Sequence, residues 1–577
     1  MVKLLKGYLK DYKFQLIVGP LCKLFEAILE LIVPLVMANI IDVGVANKDT
    51  GYILKMGGVM VLLGIIGLCS ALVCQYSASI ASQGCGTKMR NDLFRHINSL
   101  SHKELDEIGT PSLITRMTND INQMQNAVAM LIRLVLRAPF LVIGAMVMAM
   151  IIDIKMSVIF FIAAILIALV LYFVMSKSVP FFKAIQKKLD RVSLISRENL
   201  SGNRVIRAFS KQKQEQKRFE EISDDLSYTS IKVGKLSALL SPATFAITNL
   251  AIVLIVWFGS QGANTGEIMS GDIIALVNYM TLILLAMVVV ANLVVLFTKA
   301  SASAQRINQV FETESSVKEN ENTKINPNKS APKIEFENVY FSYSDGENAL
   351  SDISFKINKG DTVGIIGGTG SGKSTLINLI PRFYDVNSGK ILFDGVNVKD
   401  YSFSDLRRQI GIVPQQSILF SGTVRENMKW QNPESTDEEI LKALEIAQAK
   451  DFILEKPYGL DTMVVQGGKN LSGGQRQRLC IARAIVSMPK VLILDDSFSA
   501  LDFATDAALR KALKEQTENM TVIIVSQRCS TIKNSDLILV LEDGELAGKG
   551  KHKELLESCP LYKEICLSQL EKEEVLR

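Results

Sequence analysis

The sequence predicts two domains of different classes: an α-helical polytopic membrane domain with six transmembrane helices, followed by a cytoplasmic α/β domain. Three observations support this fold class. The chain has 577 residues, which is too long for a single hydrophobic core. Its mean hydropathy is +0.23, and the long apolar runs lie in roughly the first 300 residues. Beyond them, short β-branched segments alternate with helical ones, which indicates a largely parallel sheet covered by helices.

Six apolar stretches are long enough, at about 20 residues or more, to cross a bilayer. They are predicted at 15–41, 53–81, 128–152, 156–178, 239–262 and 272–298. The second and third spans, and the fourth and fifth, are joined by long polar segments rich in Lys and Arg. The positive-inside rule therefore places both long segments, and both ends of the membrane domain, in the cytoplasm. Both segments are expected to be helical. The six spans predict a multi-pass protein of the cell membrane.

Charged residues occur inside two of these predicted spans, where burial in lipid is costly. The first span contains Lys23, Glu26 and Glu30, and the third contains Arg133 and Arg137. One interpretation is an acidic face that lines a cavity and favours cationic, amphipathic compounds. The other is a structural ion-pair cluster between the spans, with Arg133 at the cytoplasmic boundary. We favour the structural interpretation, and the first stays open.

An abrupt change of composition after Phe311 sets the predicted domain boundaries. Residues 1–311 form the membrane domain, 312–332 an exposed linker rich in Glu, Lys, Asn and Ser, and 333–577 the α/β domain. Strands of the α/β domain are predicted at Ile334–Phe336, Thr362–Ile366, Val491–Leu494, Thr521–Val525 and Leu537–Leu541.

Net charge and cysteine content narrow the function classes. A net charge of +5 over this length is mild, so no nucleic-acid partner is expected. The eight cysteines include no CxxC pair, and none falls in a segment expected outside the cell. They are predicted to be reduced structural thiols.

A glycine-rich loop after the strand Thr362–Ile366 predicts a nucleotide site. The loop fits the pattern G-x-x-x-x-G-K-[ST] between a strand and an apolar helix. Its residues are Gly367, Gly368, Thr369, Gly370, Ser371, Gly372, Lys373, Ser374 and Thr375. The glycines let backbone N–H groups turn towards phosphate oxygens. Lys373 would supply a cation to the β- and γ-phosphates, and Ser374 a hydroxyl to Mg²⁺, so ATP and Mg²⁺ are the predicted ligands.

A second predicted strand, Val491–Leu494, ends at Asp495. A carboxylate at the end of a buried strand beside a phosphate loop is placed to hold Mg²⁺. Taken alone, Asp495 could equally cap a helix. The phosphate loop makes the metal-holding role the preferred interpretation.

Between these elements lies a short motif that carries a family resemblance. It consists of Leu471, Ser472, Gly473, Gly474 and Gln475. With the phosphate loop and Asp495, it makes essentially the whole chain resemble the half-transporters of the ABC exporter type, whose α/β domain is a P-loop NTPase of ABC type. In that family this signature of one subunit completes the ATP site on the partner's phosphate loop, so the chain is expected to need a second half-transporter.

The resemblance also implies roles for further positions. Tyr343 would stack on adenine, Gln415 would contact Mg²⁺ and the membrane domain, and Ser499 and Asp502 would lie in the loop that crosses the dimer interface. The cytoplasmic coupling segments of the membrane domain would be Thr115-Arg116 with Asn119-Asp120, and Arg207-Ala208-Phe209.

Three positions depart from the family pattern. Asp496 stands where an active member has Glu, and its carboxylate would sit roughly 1.5 Å back, which can cost on the order of 10²-fold in rate. Gln527 stands where the family has a histidine that contacts the γ-phosphate. Gln466, before the signature, replaces an acidic residue usual in homodimeric exporters. Loss of both the base and the histidine predicts a retained, degenerate ATP site, as in one half of bacterial heterodimeric multidrug exporters.

The resemblance thus implies ATP-driven export of hydrophobic or amphipathic drug-like compounds across the lipid bilayer by a heterodimer. Three alternatives stay open: a homodimeric exporter, export of a lipid or peptide, and a regulatory ATP-binding subunit or ATP-gated channel. The sequence is nearly silent on the identity of the transported compound.

Overall fold

The computed structural model describes residues 2–319, 328, 330–343, 346–516 and 520–569. They divide into two compact units. The membrane unit comprises the chain up to Asn98 together with Pro111–Thr313, and the α/β unit comprises Ser99–Thr110 together with the chain from Glu314. Each unit is described by itself below.

The membrane unit is helical throughout. Up to Glu312 the helices are α1 Val2–Leu9, α2 Lys13–Asn39, α3 Thr50–Ser99, α4 His102–Ile108, α5 Thr110–Thr115, α6 Ile121–Arg133, α7 Arg137–Ile152, α8 Ile154–Ser201, α9 Asn203–Ala208, α10 Gln212–Ala238, α11 Leu240–Thr265 and α12 Ser270–Glu312, of which α4 belongs to the α/β unit.

Six helical segments of the described chain are long and apolar enough to span a membrane, and each contains one predicted span. They are Leu4–Val45, Thr50–Ser99, Thr110–Ile152, Ile154–Ser201, Gln212–Thr265 and Ser270–Glu312. The prediction of six spans is confirmed. At 50 residues, α3 is about 75 Å long, far more than the thickness of a bilayer.

Small residues let the helices of the membrane unit pack closely. Ala27 of α2, Ala145 of α7 and Ala275 of α12 are fully buried in one cluster. The buried Tyr279 donates a hydrogen bond of 2.5 Å from its hydroxyl to the carbonyl of Leu31, which ties α12 to α2. Large apolar side chains elsewhere on these helices are exposed, as expected of surfaces that face lipid.

Four of the five charged residues of the first and third predicted spans form one ion-pair cluster. Lys23 lies 2.6 Å from Glu26, and Arg137 lies 2.6 Å from Glu30 and 4.0 Å from Glu26. Arg133 is the last residue of α6, before the turn that leads to α7. Because Arg137 links α7 to two carboxylates of α2, this geometry favours the structural interpretation over an acidic cavity wall.

The α/β unit contains two larger sheets. Its strands are β1 Ile334–Phe341, β2 Leu350–Ile357, β3 Thr362–Gly367, β4 Ser388–Phe393, β5 Val396–Asn397, β6 Ile410–Val413, β7 Gly422–Thr423, β8 Met463–Val464, β9 Val491–Asp495, β10 Thr521–Val525, β11 Leu537–Glu542 and β12 Glu545–Gly550. Its helices after α4 are α13 Lys373–Leu379, α14 Phe403–Arg407, α15 Val424–Met428, α16 Asp437–Ile446, α17 Lys450–Leu454, α18 Gly473–Ile485, α19 Phe503–Gln516, α20 Cys529–Ile532, α21 His552–Ser558 and α22 Pro560–Gln569.

The main sheet confirms the predicted parallel α/β architecture. Within the described ranges its order is β12-β11-β3-β10-β9-β6, and only the edge strand β12 runs antiparallel. Every residue of β9 and β10 is buried, because helices cover one face and the antiparallel sheet with α13 covers the other. The antiparallel sheet β2-β1-β4-β5 packs its own apolar face in a second cluster with β3. All five predicted strands fall on observed ones.

The predicted linker is described only in part. Helix α12 ends at Glu312 and β1 begins at Ile334, while residues 320–327 and 329 lie outside the described residues. The domain boundaries at 311 and 332 therefore stay predictions.

The prediction that all eight cysteines are reduced is wrong for two of them. Cys529 and Cys566 are joined in a disulfide, and their Cα atoms are 5.7 Å apart. The other six cysteines are free, and all of them lie in the described ranges. The pair is 37 residues apart in sequence, so only the packing of α20 against α22 brings the two thiols together.

Candidate functional site

Three parallel strands bring the predicted site residues to one edge of the main sheet. In the register, Ile365 of β3 pairs with Val525 of β10, and Val525 pairs with Asp495 of β9. Because carboxyl ends of parallel strands meet at the same edge, the segments after β3, β9 and β10 lie side by side.

The phosphate loop after β3 takes a conformation that needs glycine. Gly370 and Gly372 have φ angles of +85° and +93°. At Gly367 a Cβ atom would lie 2.2 Å from the carbonyl oxygen of Leu541, so a side chain has no room. The glycines therefore allow a tight backbone turn at the start of α13.

Lys373 lies inside this loop with 9% of its surface exposed. Its ammonium group donates to the Gly367 carbonyl at 3.0 Å and to Ser371 Oγ at 3.2 Å. Burial lowers the pKa of Lys373, and the nearby Asp495 and Asp496 oppose that shift. A buried cation surrounded by loop carbonyls is stabilised by an anionic ligand, as a phosphate would be.

Asp495 and Ser374 form the pair expected to hold Mg²⁺. Ser374 Oγ donates to a carboxylate oxygen of Asp495 at 3.0 Å. Burial raises the pKa of Asp495, and the hydrogen bond from Ser374 counters it. A hydroxyl and a carboxylate oxygen at this spacing suit Mg²⁺, which prefers oxygen ligands. The bond to Ser374 favours this role over the helix-cap alternative.

Asp496 follows at once and takes a left-handed backbone conformation, with φ of +47°. Its N–H donates to the Val525 carbonyl at 3.0 Å, which fixes it against β10. Burial raises the pKa of Asp496, while a hydrogen bond from Ser499, the charge of Arg528 and a hydrogen bond from Gln415 oppose that shift. The structure thus brings Gln415 and Ser499 to the side chain of Asp496.

Gln527 leaves the end of β10 at the same edge, and its side chain is exposed. Its carbonyl accepts a hydrogen bond of 2.7 Å from Nε2 of Gln569, on α22. We call Ser526–Arg528 the switch loop.

Tyr343 lies beside the phosphate loop. Its hydroxyl and Thr375 Oγ1 are 3.0 Å apart, and its ring contacts Phe341 and Tyr384 edge-on, with centroids 4.9 and 5.2 Å away. The residue is 44% exposed. Stacking on adenine stays a prediction that this placement permits.

The signature residues form the beginning of α18. Ser472 Oγ accepts from the N–H of Gln475 at 3.2 Å, and the Gln475 side chain accepts from the N–H of Ser472 at 3.0 Å, which makes a capping box. Gly473 and Gly474 approach Ala500, next to Ser499. Asp502 accepts from the Thr505 N–H at 2.9 Å and so begins α19. The signature and the predicted interface loop are therefore neighbours.

Sequence analysis missed the contact made by α4. Its His102 ring stacks on Phe383 with centroids 4.4 Å apart, and Asp106 accepts a hydrogen bond of 3.2 Å from the Tyr384 hydroxyl. The signal was a short capped segment that starts at Ser101 and stops at Gly109, whose φ is +78°.

Two of the predicted coupling residues, Arg116 and Asp120, have partners within the membrane unit. Arg116 donates to the carbonyl of Arg306 at 3.0 Å, and buried Asp120 accepts from Arg306 Nε at 2.9 Å and from Ser303 at 2.9 Å. These contacts lie inside the membrane unit, and the assignment of Thr115-Arg116 with Asn119-Asp120, and of Arg207-Ala208-Phe209, as coupling segments stays a prediction.

Replacing Glu104 should loosen α4 measurably. The buried Glu104 accepts a hydrogen bond from the hydroxyl of Ser101 and another from the Ser316 N–H at 3.2 Å. Glu104→Ala would strand both donors and should destabilise the α/β unit by about 2 kcal/mol, with Glu104→Gln clearly milder because it keeps an acceptor. Thermal unfolding of the purified full-length chain measures both, and equal melting temperatures for the two variants would contradict this account.

Comparisons with known proteins decide the family. The sequence profile of the ABC transporter transmembrane region matches residues 16–288, and the ABC transporter profile matches residues 350–499. An uncharacterized ABC transporter ATP-binding protein of Bacillus subtilis, YfiB, is 38% identical over 568 residues, covering 98% of both chains. The chain belongs to the ABC transporter family.

Two further similarities define its branch. The ATP-dependent lipid A-core flippase of Vibrio cholerae is 30% identical over 569 residues, covering 98% of this chain and 97% of that protein. A solved bacterial Atm1-family ABC exporter with ATP bound superposes with a TM-score of 0.78 over 97% of this chain and 98% of that one, at 23% identity. This ABC transporter chain has the exporter fold: a multi-pass membrane domain with six spans and a cytoplasmic ATP-hydrolysing domain.

Proposed function

We propose that this chain is one half of a heterodimeric ABC exporter of hydrophobic or amphipathic compounds, and that its own ATP site binds nucleotide but hydrolyses it poorly. One observation carries the proposal: Asp496 and Gln527 occupy the two positions next to a fully equipped phosphate loop where hydrolysis needs a longer carboxylate and an imidazole.

The remaining site residues bind rather than react. Lys373 neutralises phosphate charge, Ser374 and Asp495 present oxygens to Mg²⁺, and Mg²⁺ when bound would neutralise the charge between phosphate oxygens. Asp496 is held by Gln415 and Ser499, so its short carboxylate is not free to advance towards an attacking water. Gln527 can donate a hydrogen bond but carries no positive charge. The predicted result is long-lived ATP at this site.

Exposed apolar side chains support a second subunit. In the membrane unit, Leu200 is 80% exposed and Phe209, which follows α9, is 72% exposed. In the α/β unit, the rings of Phe420 and Trp430 stack with centroids 4.0 Å apart and are exposed. Such side chains at positions expected in the cytoplasm favour a protein partner. The intact signature at Leu471–Gln475 would complete that partner's ATP site.

A groove of the membrane unit supports apolar cargo. It measures about 840 Å³ and lies between the start of α7 and α12. Its lining is mostly apolar with a few hydroxyl and amide groups: Val135, Pro139, Val290, Leu293, Val294, Phe297, Thr298, Ser301, Ala302 and Gln305. A site of this size and composition suits a drug-sized amphipathic compound.

Lipid export is the second candidate, because the relative from Vibrio cholerae is named a lipid A-core flippase and the same groove could hold an acyl chain. A homodimer and a regulatory subunit are the further alternatives.

One vesicle preparation separates the two kinds of cargo. The chain and its partner half are reconstituted in liposomes, and ATP-driven uptake of a hydrophobic cationic dye is measured beside ATP-driven flipping of a fluorescent phospholipid. Dye uptake without lipid flipping supports the proposal, and lipid flipping without dye uptake would replace it. Neither movement, with ATP binding intact, would favour the regulatory subunit. A pair with both phosphate-loop lysines replaced by alanine is the control.

A further inference from the structure

Beyond ATP and cargo, the α/β unit contains a pair of cysteines beside the switch loop. Cys529 begins α20 directly after Arg528, and Cys566 lies on α22. Both are fully buried, and their Cα separation of 5.7 Å lies in the range that a disulfide requires. No role described above uses either residue.

Helix α22 is also attached to the switch loop by hydrogen bonds. The side chain of Gln569 donates from Nε2 to the carbonyl of Gln527 at 2.7 Å, and its Oε1 accepts from the N–H of Cys529 at 2.8 Å. One amide thus brackets the switch loop, and the disulfide adds a covalent link at the same place. Any movement of Gln527 relative to the sheet must therefore either carry α22 with it or break these links.

This domain lies in the cytoplasm, where disulfides are usually transient and redox-sensing. We propose that Cys529 and Cys566 form a peroxide-responsive dithiol–disulfide pair whose oxidation fixes α22 on the switch loop and slows ATP turnover by the transporter. The switch loop lies at the edge where nucleotide binds, and closing and reopening an ATP site requires such loops to move.

The oxidation of the two thiols balances with a hydroperoxide as the oxidant. One thiolate attacks the O–O bond of hydrogen peroxide, giving a sulfenic acid and, after protonation, one water. The second thiolate attacks the sulfenic sulfur, forms the S–S bond and releases hydroxide, which becomes a second water with the thiol protons. Two thiols and one peroxide thus give one disulfide and two waters. A dithiol reductant returns two electrons and two protons by exchange.

Oxidant reaches the buried pair through local opening of α22. The residues that this helix buries are Tyr562 and Cys566, with Leu561 and Ile565 partly buried against the same cluster. A ten-residue helix held by so small an apolar face belongs to the low-stability end of a domain. Oxidation of the two cysteines should therefore be slow while α22 is packed. The disulfide, once formed, should suppress the local opening of α22.

Zinc is the competing occupant of this cluster. Ligand atoms of Cys529, His552 and Cys566 lie within 4.8 Å of one another. Structural zinc sites use four ligands, whereas the described residues supply three here, and Nδ1 of His552 is 2.7 Å from the hydroxyl of Tyr562. The Cα spacing and the Gln569 bracket favour the disulfide.

The test uses the full-length chain with its partner half in lipid. The reconstituted transporter is first reduced and then treated with hydrogen peroxide. Free thiols of this chain are counted by maleimide alkylation in denaturant, a Cys529–Cys566 peptide is sought by mass spectrometry, and ATP turnover is followed before and after a dithiol reductant. Cys566→Ser and Cys529→Ser are the test variants. Cys559→Ser is the matched control, because Cys559 is buried nearby and free.

The expected result is a fall from eight to six free thiols, the linked peptide, and a several-fold drop in turnover that the reductant reverses. Cys559→Ser should respond likewise, and the two test variants should not. Eight remaining thiols, a linked peptide without any change in turnover, or thiols protected by zinc and released by a chelator would each overturn the proposal. If the test variants fail to fold, the peptide and turnover of the native chain still decide it. If the reduced transporter had no ATPase activity, that result would count against the proposed export function. The thiol count does not depend on the export function and tests the cysteine pair separately.

Discussion

Gly473→Asp in this chain should reduce ATP hydrolysis by the proposed heterodimer by at least about 100-fold, although the chain's own phosphate loop is untouched. The signature that begins α18 is intact, and in this family it faces the phosphates bound to the partner. An aspartate there would repel the γ-phosphate and keep it from the preorganised N–H donors, and losing one such donor contact typically costs about 10²–10³-fold. A Cβ at Gly473 would meet nothing closer than Ala500 Cβ at 4.0 Å, so the fold accommodates the change. Steady-state release of inorganic phosphate by the reconstituted pair measures it.

The matched variant is Lys373→Ala in the same chain. It removes the cation from this chain's own phosphate loop, so nucleotide binding at that site should weaken while most hydrolysis by the pair remains. Binding is read from a fluorescent ATP analogue and turnover from phosphate release. If Lys373→Ala abolished hydrolysis and Gly473→Asp spared it, the division of labour between the two ATP sites would be the reverse of the one proposed.

Restoring the two altered residues should revive this chain's own site. In a pair whose partner has lost its catalytic carboxylate, hydrolysis should be near background. Introducing Asp496→Glu together with Gln527→His should raise it by about 100-fold, because the glutamate advances the carboxylate by one methylene and the histidine restores a group that can carry charge. Single-turnover hydrolysis of radiolabelled ATP by the purified pair is the measurement.

The control for this gain is Asp496→Asn with Gln527→His in the same background, which supplies the imidazole but no base and should stay at background. Asp496 has a φ of +47°, so melting temperatures must show that all variants are folded. No gain with Asp496→Glu and Gln527→His in a folded, ATP-binding pair would mean that other residues inactivate the site.

Much of the architecture could be predicted because it depends on local pattern. The six spans follow from apolar length alone, and the strands that carry Gly367 and Asp495 follow from β-branched runs bounded by turns. Parallel pairing then places the residues after those strands at one edge, and the structure puts Ser374 3.0 Å from Asp495 there.

What the sequence could not supply depends on packing between distant segments. Cys529 and Cys566 meet only because α22 folds back on α20. His102 meets Phe383 although 281 residues separate them, and Asp120 accepts a hydrogen bond from Arg306, which is 186 residues away. The two hydrogen bonds from the side-chain amide of Gln569 to the segment Gln527–Cys529 likewise could not be predicted from the sequence. They join residues 40 and 42 positions apart, and no motif has such a spacing.

The central claim is the asymmetry of the two ATP sites, and Mg-ATP hydrolysis by the purified chain in lipid tests it most directly. The chain is measured alone and then mixed with a related half-transporter from the same source that has Glu and His at the positions of Asp496 and Gln527. Near-zero turnover alone and robust turnover together are the predicted result. Brisk turnover by the chain alone would show that Asp496 and Gln527 suffice, and would make a homodimeric exporter the correct description.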